Sequence, residues 1–409
     1  MIPSIKEYEG MNITFQVTED CNLRCKYCYE VDKKPGDLPF EYAQKFVDII
    51  LEDEDPINAK GTDSEWIVKQ GLILDFIGGD ALMVPELLDK IIQYYIYKAV
   101  MLGHKWTYRW RASISSNGTL FDNSRVRDFM LKYRDNLSVG VSVDGCPEIH
   151  DKNRIWKDGH GTMKDILKWW DWYVAWGGRE NVATKATCNK DAIPVLSKSI
   201  KYLHETLGLQ QIHINFIFED MHLIADDLKL LEQEMEKSVA YILEHRHDLY
   251  VSMFSKAFGI GGPARNLDKS WCGSGAMPCL SINGKIYPCF RFSPNTMHSR
   301  KLDFYVGDVW HGLNHKERFE IVRQQTRQKI SPEKCFECPV ESSCGWCIGG
   351  AFAEKGEFHR QTNICEVHKL QDKWSRRYWE EYDKLEGTKS FDENGEVINI
   401  VDENGKVIL

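Results

Sequence analysis

The chain has 409 residues, 43% hydrophobic and 12% aromatic, enough for sizeable packed cores and too many for a disordered chain. Its formal net charge of −9 argues against a general nucleic-acid binder and against docking on an anionic membrane. Thirteen cysteines, an odd number, fit poorly with a closed disulfide framework.

The N-terminus has no basic stretch leading into an apolar one, so no secretory signal is visible. No apolar run approaches the ~18 residues of a spanning helix. The expectation is a soluble cytoplasmic protein, with no membrane partner, in a compartment where grouped thiols usually mean metal. Runs of β type at 12–18, 71–77, 110–116, 137–144, 182–188 and 211–218 alternate with helical patterns at 39–51, 83–102, 123–133, 162–176 and 192–207. Such β–α units with apolar strands predict an α/β fold, a parallel sheet covered by helices, either open or curved into part of a barrel. In either geometry ligands sit at the C-terminal ends of the strands.

Residues 222–247 read as a polar amphipathic helix bridging to a second unit. From 271 to 365 the texture changes to Cys, Gly and Pro with short strands, as in a metal-stapled module. A charged helix over 366–386 follows, and the tail repeats DENGEVI (392–398) as DENGKVI (402–408). Each Asn-Gly is a tight-turn signal, so a small β-meander and a weakly ordered tail both fit. The expected organisation is 1–221, 222–267, 268–370 and 371–409.

The cysteines are unevenly spread. Cys21, Cys25 and Cys28 share one loop, while Cys272, Cys279, Cys289, Cys335, Cys338, Cys344, Cys347 and Cys365 lie near the C-terminus. Cys146 and Cys188 stand apart and read as small buried hydrophobes. The grouped eleven divide into one three-ligand and two four-ligand sets. The C-x3-C-x2-C run follows the first strand and can bring three thiolates to one centre. Zinc sites more often use paired C-x-x-C knuckles and four protein ligands, whereas three thiolates leave one iron of a [4Fe–4S] cube free. Zinc completed by a distant histidine is the alternative.

The segment CNLRCKYC resembles the signature of the radical S-adenosylmethionine (AdoMet) enzymes. That resemblance implies a partial (β/α)6 TIM-like barrel in which Cys21, Cys25 and Cys28 hold the catalytic cluster. AdoMet would chelate the open iron, with Tyr27 beside its adenine, and its reductive cleavage would give a 5′-deoxyadenosyl radical that abstracts hydrogen. Gly78-Gly79-Asp80 is similar to the family's GGE turn, which binds the methionine amino group, with Asp80 where Glu is usual. Ser116-Asn117-Gly118-Thr119 resembles the family's TNGT, implying a cofactor contact at Asn117. Ser142-Val143-Asp144-Gly145 with Arg154 resembles the SIDG…R segment around the ribose and carboxylate, where Arg suits a bidentate contact. Asn215, on the sixth strand, joins the same set. Ordinary strand-end turn chemistry is the alternative for each.

Cys272-x11-Gly284-x4-Cys289 resembles the opening of the SPASM module, which carries auxiliary clusters in peptide-modifying radical AdoMet enzymes. Asn283-Gly284 predicts a hairpin bringing Cys272 and Cys289 together. Cys335-x2-Cys338-x5-Cys344-x2-Cys347 and Cys365 follow, with two residues, Gly345 and Trp346, where the family has three. By resemblance, Cys335, Cys338, Cys344 and Cys365 hold one auxiliary cluster. Cys272, Cys289 and Cys347 hold the other, with Cys279 as candidate fourth ligand, for three [4Fe–4S] clusters in all. Without Cys279 that cluster has an open iron for a substrate thiolate. Zinc knuckles in a non-catalytic interaction module form the competing class.

SPASM enzymes mostly act on peptides. Sulfatase maturases, which oxidise Cys or Ser to formylglycine, carry an acidic base after a YPC cysteine, but here Tyr287-Pro288-Cys289 leads into Phe290-Arg291-Phe292. Thioether crosslinking of a ribosomally synthesised, cysteine-rich peptide is therefore preferred, ahead of formylglycine formation and of carbon–carbon or ether links. The implied partners are a precursor peptide and an electron donor of flavodoxin or ferredoxin type. Only twenty residues precede Cys21, so leader binding is expected to use a separate protein, the tail or the barrel edge. Trp169, Trp172 and Trp176 share a helical face that packs on a sheet more often than it binds substrate. His150, His160 and His213 lack an evident second ligand, the acid-rich run 226–236 reads as a solvated face, and Arg291 as an ion-pair partner.

Overall fold

The computed structural model describes residues 10–31, 33–219, 221–256, 272–297, 302–341, 343–386, 388–391 and 397–401. Trp271, residues 392–396 of the first DENG repeat and the whole second repeat, 402–408, lie outside the described residues.

Seven parallel strands form the centre: β1 (Met11–Thr18), β2 (Leu72–Gly78), β3 (Trp110–Ser116), β4 (Leu137–Val141), β5 (Ala183–Cys188), β6 (Gln211–Phe216) and β7 (Tyr250–Val251). β8 (Cys279–Leu280), β9 (Lys285–Tyr287) and β10 (Gly307–Asp308) come from the cysteine-rich region, and β8 pairs parallel with β1. One sheet results, in the order β10-β9-β8-β1-β2-β3-β4-β5-β6-β7. A separate two-stranded sheet pairs β11 (Thr388–Phe391) antiparallel with β12 (Val397–Val401).

Alternation sets the two faces of the sheet. In β2, Leu72, Leu74 and Phe76 are buried while Ile73, Asp75 and Ile77 are only partly covered. Phe76 meets Phe15 of β1 with ring centroids 5.5 Å apart, and Phe15 meets Phe46 of the helix Phe40–Glu52 at 5.2 Å. Burying each such ring contributes about 1.5–3 kcal/mol. β1 is buried along nearly its whole length because β8 covers the edge that an open sheet would leave free.

Several elements depart from the sequence expectation. The fourth strand ends at Val141 rather than 144, because the Thr184 hydroxyl bonds the carbonyls of Val141 and Val143 and accepts from the Val143 amide. The helix expected over 162–176 splits into Met163–Leu167 and Trp170–Gly177. The break resets the phase. Trp170, Tyr173 and Trp176 form the buried face, their indoles donating to Leu207 and Met130 carbonyls at 2.9 and 3.0 Å. Trp169 instead stacks under Arg127. The pattern over 192–207 becomes a 3-10 turn through Pro194, a short helix Leu196–Lys201 and a π turn Tyr202–Thr206. Cys146 and Cys188 are each 2% exposed, in the apolar core. No helix among the described residues is long and apolar enough to cross a membrane.

Candidate functional site

The three-cysteine loop leaves the C-terminal end of β1, the end where a parallel sheet places its ligands. Asp20 Oδ1 accepts from the Cys21 amide at 2.8 Å, and the Leu23 amide points at Cys21 Sγ. Arg24 and Lys26 hang the loop on the 153–155 segment through amide bonds to Ile155 and Asn153 carbonyls. Burial pushes the Cys21 thiol up to about 11, with Lys33 pulling the other way. Burial also raises Cys25, while Arg154 lowers it and Cys28 raises it. A buried thiol becomes a thiolate when a bound positive centre replaces its lost hydration.

The spacing of the sulfurs tests which centre fits. Tetrahedral zinc with Zn–S bonds near 2.3 Å brings ligand sulfurs to about 3.8 Å of one another. Among the described residues no three cysteine sulfurs lie mutually within 4.8 Å. The thiols are therefore spaced more widely than a single tetrahedral zinc would draw them.

Glycines let β2 approach this loop. A Cβ on Gly78 would stand 2.2 Å from the Thr18 carbonyl oxygen, and one on Gly79 only 1.9 Å from that of Asp20. Gly78 also holds φ at 151°, which favours glycine. Asp80 faces inward and is fully committed. Its carboxylate accepts from the amides of Leu82 (3.0 Å) and Asn117 (2.7 Å) and from the Ser116 hydroxyl (3.0 Å). It knots the ends of β2 and β3 together. Asn117 donates to Asn22 Oδ1 at 2.8 Å, and Asn22 donates to Thr119 Oγ1 at 2.8 Å, which ties the strand end to the cysteine loop.

Tyr27, Asp144 and Arg154 form a second knot. The Tyr27 hydroxyl donates to Asp144, Arg154 Nε donates to it at 3.0 Å, and the Thr187 amide at 3.0 Å. The Asp144 side chain is wholly buried, and the Arg154 guanidinium lies 5.4 Å from the Tyr27 ring. Asp144 therefore takes the Nε end of the arginine that the resemblance assigns to a cofactor carboxylate. His150, buried beneath, accepts from the Asp144 amide at Nδ1, so its Nε2 donates to Thr162 at 2.9 Å. Ser142 donates its amide to the Ser116 carbonyl. Asn215 is exposed, in register with Thr187.

On the sheet face away from the Phe15–Phe46 core, one row runs across neighbouring strands in register: Cys279, Thr14, Asp75, Ser113 and Ser138. Lys185 of β5 donates to Ser115 at 2.7 Å. Burial raises the Asp75 carboxyl, and Lys185, Ser113 and Thr14 counter it. These polar residues were not singled out from sequence, although the polar alternates in otherwise apolar strands were a signal for them.

The C-terminal cysteines gather in two places. Burial pushes Cys289 up to about 12; the Ser274 hydroxyl, donating to it at 3.3 Å, opposes this, and the nearby Cys272 and Cys347 thiols add to it. The Gly350 amide points at Cys347 Sγ at 3.3 Å. The Asn283-Gly284 hairpin forms, with Gly284 at φ 81°, and its antiparallel strands pair Cys279 with Tyr287. Cys279 is raised by burial and then by Cys289, Asp75 and Glu30, so the end of the polar row that it forms lies beside the Cys289 group. Cys335 is raised by burial, lowered by Arg360, and raised by Cys344 and Cys338, while Cys365 feels Cys344. Arg360, almost fully buried, donates to Glu341 at 2.6 Å, to Ser331 at 2.7 Å and to Cys344 Sγ. Arg360 and Arg327 both lie against the Trp346 ring, at 4.9 and 5.0 Å from its centroid.

Arg291 pairs with Glu219 at the end of β6 and covers the Tyr29 ring at 4.7 Å, joining the cysteine loop to the C-terminal region. Gly349 and Gly350 admit it; a Cβ on Gly349 would meet Arg291 Cβ at 2.6 Å. Sequence reading missed Glu30, beside this contact and 3% exposed, whose carboxyl burial pushes up to about 7 against the pull of Lys33. His160 is exposed beside Asp158, and His213 packs against Tyr250.

No family model matches the chain. An uncharacterized protein of Methanocaldococcus jannaschii is 29% identical over 196 residues, which are 48% of this chain and 59% of that protein, so the chain spans less than two thirds of that relative. The AdoMet-dependent heme synthase of Oleidesulfovibrio alaskensis is 23% identical over 86% of each chain. The subtilosin biosynthesis protein AlbA of Bacillus subtilis is 21% identical over 87% of this chain and 70% of its own. Among solved structures, anSMEcpe with bound AdoMet superposes with a TM-score of 0.70 at 15% identity, over 91% of this chain and 99% of that one. SuiB of Streptococcus suis bound to precursor peptide SuiA gives 0.54 at 12% identity, over 87% and 76%. With the cysteine loop at the end of β1, the partial-barrel sheet and the C-terminal cysteine pattern, the chain is similar to the radical AdoMet enzymes that carry a SPASM region and shares their fold.

Proposed function

We propose that the chain is a peptide maturase that forms thioether crosslinks in a cysteine-rich precursor peptide. The observation that carries this reading is the junction at Arg291. Phe290 follows Cys289, so the acidic residue that formylglycine-forming maturases carry directly after this cysteine has no counterpart at that position, and the adjacent Arg291 is paired with Glu219. Structures similar to this chain include SuiB bound to precursor peptide SuiA and anSMEcpe with bound AdoMet and Kp18Cys peptide.

Cys21, Cys25 and Cys28 would hold one [4Fe–4S] cluster, Cys335, Cys338, Cys344 and Cys365 another, and Cys272, Cys289 and Cys347 a third with Cys279 as candidate fourth ligand. When bound, the first cluster and AdoMet supply radical hydrogen abstraction, chemistry that belongs to the cofactors. The chain orients and encloses them. Gly78 and Gly79 would present backbone carbonyls to the AdoMet amine, Tyr27 its ring to adenine, and Arg154 its remaining N–H groups to a carboxylate. The row through Asp75, Ser113 and Lys185 offers the peptide hydrogen bonds and an acceptor for a thiol proton. An external electron donor of flavodoxin or ferredoxin type completes the scheme.

The test is anaerobic reconstitution, reduction with AdoMet, and co-expression with a short cysteine-rich precursor peptide. The expected result is iron for three clusters, 5′-deoxyadenosine, and a peptide that loses two hydrogens per link with one cysteine blocked to alkylation. Formylglycine in a sulfatase peptide, or heme formation as in the Oleidesulfovibrio relative, would displace the thioether reading. Zinc in place of iron would return the chain to the stapled-module class.

A further inference from the structure

The opposite end of the sheet, where the strands begin, holds a second constellation of ligand-type side chains. His204 lies on the π turn Tyr202–Thr206, a distortion that tends to mark functional positions in helices. His245 caps the helix Ala225–Glu244, and Asp248 follows in a turn closed by amide bonds from Asp248 and Leu249 to the His245 carbonyl. One ligand atom from each of His204, His245 and Asp248 lies within 4.8 Å of the other two.

We propose that His204, His245 and Asp248 form a structural site for one divalent transition metal of the zinc type, clamping the segment before β6 to the segment before β7. The spacing carries the argument. His204 Nε2 is 3.4 Å from Asp248 Oδ2, and His245 Nδ1 is 3.7 Å from Asp248 Oδ1. Both exceed the 2.7–3.2 Å of an N–H···O hydrogen bond. Both lie close to the edge of a zinc tetrahedron, about 3.3 Å for bonds near 2.0 Å. The far side of the ring is also held: His204 Nδ1 stands 2.7 Å from the Tyr241 hydroxyl, which leaves Nε2 turned to Asp248. Tyr241 then plays the outer-sphere role that fixes the ring of a metal-bound histidine. Water fills the fourth position, because His204 is 11% exposed and Asp248 53%.

The site is independent of the iron–sulfur chemistry, and its test uses the reconstituted holoenzyme with every cluster filled. Dialysed against micromolar zinc and analysed for metals, the wild type should retain one zinc per chain beyond its iron. Asp248→Asn, a near-isosteric change at an exposed side chain, should lose that zinc with iron content unchanged, and His245→Ala should do the same. Tyr241→Phe should weaken zinc binding about 10-fold or more. Zinc should raise the melting temperature of the wild type and not of Asp248→Asn. X-ray absorption at the zinc edge of the wild type provides a readout that needs no variant: nitrogen and oxygen ligands are expected, and sulfur ligands would overturn the proposal. Equal zinc retention by wild type and Asp248→Asn, or no zinc beyond background in the wild type, would overturn it as well.

Discussion

Asp80 stands where related enzymes carry a longer acid, and the structure makes its length consequential. Oδ1 takes the Leu82 amide at 3.0 Å; Oδ2 takes the Asn117 amide at 2.7 Å and the Ser116 hydroxyl at 3.0 Å, all out of water. In Asp80→Asn one oxygen becomes an NH2 group that meets an amide N–H, leaving a buried donor unpaired at about 1–3 kcal/mol. The remaining bonds lose charge assistance, roughly 1 kcal/mol each, and relief of carboxylate desolvation returns part of the sum. A local destabilisation of about 3 kcal/mol corresponds to ~150-fold faster opening. Hydrogen exchange of the 80–83 and 116–119 amides reads this directly, and AdoMet binding should weaken with it. Asp80→Glu should also destabilise, by about 1–3 kcal/mol, because an added methylene has no space beside a residue 2% exposed. Wild-type exchange in Asp80→Asn, or a more stable Asp80→Glu, would refute the reasoning.

Three other outcomes follow from the geometry. Arg360→Met leaves the Glu341 carboxylate buried without its partner, a loss of about 3–5 kcal/mol, and iron analysis should show one cluster fewer; full iron with a wild-type melt would contradict this. Lys185→Met should leave 5′-deoxyadenosine formation near wild type while crosslinked peptide falls at least 10-fold, and an unchanged peptide product would remove Lys185 from the substrate surface. His150 is buried as the neutral ring and held at about 4 against an ordinary 6.5, so unfolding takes up a proton between those values. Stability contributed by His150 is complete above pH 6.5 and is lost as pH falls toward 4, by up to about 1.4 kcal/mol per pH unit. Denaturation midpoints of His150→Gln should show a shallower acid slope than the wild type; identical slopes would exclude the effect.

The parallel order of strands, the cysteine loop at the end of β1 and the hairpin at Gly284 were all readable from the sequence, because each depends on short-range pattern: alternation, thiol spacing, and a residue free to hold positive φ. Gly78, Gly79 and Gly349 were visible as glycines, but what they admit, the carbonyls of Thr18 and Asp20 and the Arg291 side chain, belongs to distant segments. Phase was the frequent error: a two-residue break at 168–169 moved the buried face from Trp169 and Trp172 to Trp170 and Tyr173. Thirteen cysteines and their spacing determined the class of chemistry. Only the tertiary structure decided that Asp80 is a knot, that Arg291 is balanced by Glu219, that β8 of the cysteine-rich region closes the edge of β1, and that His204 meets Asp248. The physical reason is the same in each case. Thiol spacing is written in neighbouring residues, whereas a carboxylate's role depends on which donors the folded chain brings to it, and in this chain most of those donors come from other strands.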